Sequence, residues 1–170
     1  MIEHLPDRLD LYAMAEAGRE LRGRIDLASM ERLLPLLSSP DGVLQVTLEL
    51  GKSHDGTRYI SGTIKGALRL QCQRCLESME YPLDVNFQLG LVRSEEEMGK
   101  LPDRFEPLLV SQEPTCIADL VSDEVLLTLP IVALHTDMKQ CHEVAADYHT
   151  PDAGQRENPF AVLAQLKQKH

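Results

Sequence analysis

Apolar and polar residues alternate with a period of two along three stretches of the chain, the pattern of strands that bury one face. Leu44, Val46, Leu48 and Leu50 alternate with Gln45, Thr47 and Glu49. A loop with Gly51 and Asp55-Gly56 follows, and then Ile60, Ile64, Leu68, Leu70 and Cys72 keep one parity. Tyr81, Leu83, Val85, Phe87, Leu89 and Leu91 form the third run. Together they predict an antiparallel meander covered on one face. Gly62 and Gly66 fall on the inner parity, where a missing side chain signals a bulge or a close helix backbone.

Shorter patterns flank the meander. Residues 9–14 and 19–27 read as strands joined at Glu16-Ala17-Gly18, an N-terminal hairpin with Leu21, Gly23, Ile25 and Leu27 on one face and Arg22 and Arg24 on the other. Ser29 precedes Met30, Leu33, Leu34 and Leu37 at helical spacing, so a helix is expected that accommodates Pro35 in its first turn and stops near Pro40. After the acidic loop Glu95-Glu96-Glu97, residues 106–110 predict an edge strand. Ile117, Leu120, Val121 and Val125 then predict a helix that ends at Pro130 and packs on the sheet. Polar residues 136–157 lack periodicity and read as a flexible linker. Asn158 as N-cap and Pro159 at the first helical position open a last amphipathic helix, with Phe160, Leu163 and Leu166 on one face as a candidate docking surface. The fold class is therefore α+β: an antiparallel sheet, meander plus N-terminal hairpin, packed by two or three helices. Its predicted divisions are one domain over 1–135, a linker over 136–157 and a short helix over 158–170.

Composition narrows the setting. A chain of 170 residues, 43% hydrophobic, can bury a core without disulfides. No apolar run approaches the ~20 residues that cross a bilayer, and the first residues lack a signal-peptide pattern, so a soluble cytoplasmic protein with no membrane partner is expected. The formal charge of −10 opposes general binding of nucleic acid, but it is unevenly spread. Residues 19–74 carry nine basic against six acidic side chains, while residues 75–170 carry seven against seventeen. The first half could meet RNA or an acidic partner.

The candidate chemistry lies in Cys72 and Cys75, two residues apart where one strand turns into the next. Two thiolates on a tight turn can grip one metal ion, and a tetrahedral zinc site needs two further ligands. Cys141 is the obvious third and His135 or His142 the fourth. The competing reading is a reduced, metal-free pair with Cys72 packed inward. Arg74, between the thiols, favours the thiolate in either case. Cys116, at a helix start, reads as a small buried residue. A thioredoxin-like enzyme would place such a pair at a strand-to-helix junction, not between two strands. No phosphate-binding glycine loop occurs, and Asp119, Asp123 and Glu124 read as a solvated helix face. The chain is expected to be no enzyme and to have no small-molecule substrate.

Three ordered motifs carry a resemblance. These are Leu70-Gln71-Cys72-Gln73-Arg74-Cys75, Asp119-Leu120-Val121 through Asp123-Glu124 to Leu129-Pro130, and Asn158-Pro159-Phe160-Ala161-Val162-Leu163. In that order they resemble the bacterial YceD family, the large ribosomal RNA subunit accumulation proteins. The resemblance runs from about residue 20 to the end, and it implies a non-enzymatic role in the accumulation or processing of large-subunit ribosomal RNA. It also implies partners among ribosomal RNA precursors or large-subunit assembly and processing proteins. Some branches carry extra cysteines around 135–145, where this chain has only Cys141. For RNA or partner contact, the candidates are Arg22, Arg24, Lys65, Arg69 and Arg74, acting on phosphates. With no Trp, four Tyr and three Phe, base stacking is a poor route to recognition. The alternative is a metal- or redox-responsive adaptor that works through the Cys72/Cys75 knuckle and the C-terminal helix.

Overall fold

The structure, a computed structural model, describes residues 5–137, 139 and 141. It is α+β. The main sheet is built from β2 (Glu20–Asp26), β4 (Val43–Lys52), β5 (Arg58–Gln71), β6 (Ser78–Val92) and β7 (Glu106–Leu109), adjacent in that order. A three-residue strand, β3 (Leu37–Ser39), pairs with the far end of β5. A second, two-stranded sheet joins β1 (Arg8–Leu9) to β8 (Thr115–Cys116). The three strands of the meander follow the alternation in the sequence, with β4, β5 and β6 antiparallel neighbours. The edge strand β7 runs parallel to β6, so the sheet is mixed rather than wholly antiparallel.

One face of the sheet is dry. Leu44, Leu48, Ile60, Ile64 and Leu68 are completely buried there, joined by Ile117, Val121 and Val125 of α3 (Ile117–Thr128) and by Leu11 and Ala15 of α1 (Leu11–Ala17). The opposite face stays polar, as expected of an antiparallel sheet that meets water on one side. The β5/β6 pairing is continuous from Tyr59↔Gly90 to Gln71↔Ser78, so Gly62 marks no bulge. A Cβ at Gly62 would sit 2.2 Å from Cζ of Phe87, its cross-strand partner. The missing side chain makes room for an aromatic ring, not for a helix backbone. At Gly66 the nearest atoms are Leu44 Cδ2, at 2.7 Å, and the Val43 carbonyl oxygen, at 3.1 Å.

Two expected elements take other forms. The N-terminal hairpin is not present: its first strand is α1, a helix capped at both ends. The Asp10 carboxylate accepts the Ala13 N–H at 3.0 Å, and Gly18 at φ 59° closes the C-terminus with its N–H directed to Ala15 O. Ala, Leu, Met and Glu favour helix, and with both caps in place they outweigh the short alternation that suggested a strand. The helix expected from Met30 to Leu37 is instead two single 3₁₀ turns, Leu27–Ser29 and Leu34–Leu36. Pro35 cannot donate to the helical ladder and disfavours helical backbone before it, so the chain leaves the turn and enters β3. The acidic loop includes a four-residue helix, α2 (Glu95–Met98). No helix among the described residues is long and apolar enough to cross a membrane.

Candidate metal centre and outer sheet face

The turn between β5 and β6 is held by two backbone bonds and one from a side chain before any ligand is considered. Cys72 N–H donates to Glu77 O at 2.9 Å, Leu76 N–H to Cys72 O at 2.8 Å, and Gln71 Nε2 to Leu76 O at 3.0 Å. Leu76 adopts φ 62°, the left-handed region. For a non-glycine residue that conformation costs about 1–2 kcal/mol, and it persists where surroundings fix it. The turn is also tied to the segment after α3, since Gln73 N–H donates to Ala133 O at 2.8 Å. That bond brings His135 and Cys141 to the knuckle.

The four side chains converge. Cys72 and Cys75 are buried, His135 and Cys141 half-buried, and their donor atoms all lie within 4.8 Å of one another. Cys72 Sγ is 3.9 Å from Cys141 Sγ, while His135 Nδ1 is 3.5 Å from Cys75 Sγ and 3.4 Å from Cys141 Sγ. All four cysteines are free of disulfide bonds. Burial opposes ionisation of Cys72, but the N–H groups of Cys75, Arg74 and His135 and the Cys75 thiol point at its sulfur and bring its pKa down to about 5. At Cys141, burial and then the Cys75 and Cys72 sulfurs push the thiol up. One sulfur is thus poised as a thiolate, and the group as a whole could hold a metal ion.

Other expected residues fall elsewhere. His142 and the docking residues Phe160, Leu163 and Leu166 lie outside the described residues. Cys116 is half-buried at the N-cap of α3, outside the cluster. The carboxylates of α3 do not form one solvated face: Asp123 is ion-paired with Arg32, while Glu124 is buried and its pKa is raised by that burial, with Glu106 and Asp123 adding to it. Two features had little sequence signal. The His135 backbone N–H, directed at Cys72 Sγ, is a function of the fold alone. The other is the set of exposed apolar residues Leu127, Ile131, Val132 and Leu134, on either side of the helix end predicted at Pro130.

Of the candidate contact residues, Arg22, Arg24, Lys65 and Arg69 share the polar outer face of the sheet, and Arg74 is exposed on the knuckle. The register sets Arg24, Gln45, Lys65 and Asp84 in one row across four strands. Arg22 pairs with Glu20 at 2.5 Å and Lys65 with Asp84 at 3.5 Å, whereas Arg69 sits opposite Glu80 in the ladder.

Fold and site together define an α+β protein whose sheet ends in a knuckle of three cysteines and one histidine able to hold a metal ion. The chain belongs to the YceD family: the family model described as large ribosomal RNA subunit accumulation protein YceD matches residues 60–167, more than half its length. The large ribosomal RNA subunit accumulation protein YceD of Haemophilus influenzae is 29% identical over 97% of this chain and 97% of its own. No solved structure matches.

Proposed function

We propose that this protein is a non-enzymatic, cytoplasmic factor of ribosome biogenesis, a zinc-stapled platform that promotes accumulation or processing of large-subunit ribosomal RNA. The reading is carried by the convergence of three thiols and an imidazole from separated segments, in a chain whose family takes its name from that RNA. Zinc suits the donor set. With Zn–S of about 2.3 Å and Zn–N of about 2.0 Å, a tetrahedron has sulfur–sulfur edges of about 3.8 Å and sulfur–nitrogen edges of about 3.5 Å. Three of the six separations, 3.9, 3.5 and 3.4 Å, match those edges, and all six lie within 4.8 Å. Cys72, Cys75, Cys141 and His135 would hold the ion, which would fasten the segment after α3 to the β5/β6 turn. No coordination position would be left open for catalysis.

The outer sheet face is the surface offered to RNA. Arg24, Arg69 and Arg74 would meet phosphates, while Arg22 and Lys65, already paired with acids, would contribute less. Contact of this kind weakens uniformly across RNA sequences when a cation is removed, and the salt dependence falls by about one ion per lost contact.

The test is genetic and direct. In cells lacking the gene, the ratio of large- to small-subunit ribosomal RNA should fall; the intact gene should restore it, and Cys72→Ser should not. A ratio unchanged by the deletion would remove the proposed function.

A further inference from the structure

The last turn of α3 and the stretch that follows it expose apolar side chains to a degree unusual for one short segment. Leu127 is 76% exposed, Ile131 98%, Val132 50% and Leu134 37%. Between Val132 and Leu134, Ala133 turns inward and is buried, and its carbonyl binds the knuckle at Gln73. Leu76, 65% exposed, lies on the knuckle next to Cys75, whose sulfur is 3.5 Å from the His135 ring. Scattered single leucines need no explanation, but a run of this kind beside a fixed site marks a surface that something covers.

We infer that the patch is the docking site of the chain's own C-terminal segment, residues 158–169. Three observations favour this occupant. The chain leaves the described structure at Cys141, inside the cluster, so residues 142–170 start from the edge of the patch. A random chain as long as residues 142–157 would span about 20 Å, enough to return the segment to that surface at millimolar effective concentration. The segment pairs an N-cap signal with the apolar face Phe160, Leu163 and Leu166, and a helix this short is marginal in water unless that face is buried. The family match reaches residue 167, so the segment belongs to what the family shares. This inference goes beyond the RNA role and does not depend on it.

Hydrogen exchange on the full-length protein tests it. Amides of 158–168 should exchange at least about tenfold more slowly than in the free peptide of the same sequence. Ile131→Asp, at an almost fully exposed position, should abolish that protection while the amides of Cys72, Gln73 and Leu76 keep theirs. Phe160→Asp should do the same from the other side of the contact. Free-peptide exchange in the intact protein would overturn the inference, leaving the patch to another protein. Protection that survives Ile131→Asp would overturn it by placing the helix elsewhere, and protection that grows with protein concentration would assign the patch to a second copy.

Discussion

Cys72 joins the two kinds of work a residue does here. Its sulfur is wholly buried at the end of β5, and three backbone N–H groups surround it, an arrangement that serves a thiolate far better than a thiol. In metal-free protein, one thiol should therefore titrate near pH 5, and Cys141 should titrate above the ordinary thiol range, as followed by thiolate ultraviolet absorbance. A folded-state pKa below the unfolded value means that the contribution of Cys72 to stability is complete above pH ~8.5. That contribution declines as pH falls and is gone below about 5. Denaturant midpoints of metal-free protein across that window should lose this dependence in Cys72→Ser. In metal-loaded protein the same substitution should release the ion and lower Tm by about 10 °C. Leu76 gives a cleaner local test. Its left-handed backbone suits glycine, so Leu76→Gly should leave stability unchanged or raise it by up to about 1 kcal/mol, despite the loss of a large side chain. A loss above that size in urea unfolding would show that the side chain, not the backbone, governs the turn.

At the scale of elements, the long strands are the most legible part of the molecule. Unbroken alternation, over seven residues from Leu44 to Leu50 in β4 and eleven from Tyr81 to Leu91 in β6, leaves the chain one way to bury its apolar set, and strand and pairing follow. Short segments are less legible because few residues decide them. In α1 the caps Asp10 and Gly18 set the outcome, and Asp10→Ala should cost about 1 kcal/mol by thermal unfolding. In residues 30–37 the apolar spacing is helical, but Pro35 breaks the ladder that spacing requires. The parallel pairing of β7 had no signature at all, since four residues do not encode direction. Gly62 was legible as an anomaly but not as a solution. Its partner Phe87 is across the ladder and speaks only through the register. Gly62→Ala should cost about 1–3 kcal/mol through overpacking, and Phe87→Leu in the same chain should recover part of it.

Across the whole molecule, the sheet separates two roles. Its inner face builds the core under α1 and α3, and its outer face is polar among the described residues. The knuckle lies where β5 passes into β6, and it is the point where the end of the described chain returns to the sheet. Cys72 and Cys75 were legible as a pair from spacing alone. Cys141 and His135 were legible only as candidates, because the Gln73–Ala133 bond that delivers them depends on how α3 packs. A zinc ion there would make one unit of β5, β6 and the segment after α3, and it would explain how residues over 60 positions apart hold a close cluster. Elemental analysis of full-length protein purified without a histidine tag, paired with thiol titration, tests this most directly. One zinc per chain is expected, with Cys116 the reactive thiol while Cys72, Cys75 and Cys141 react only after chelation. Metal-free protein that stays folded, with all four thiols reacting and no zinc taken up when it is supplied, would contradict it.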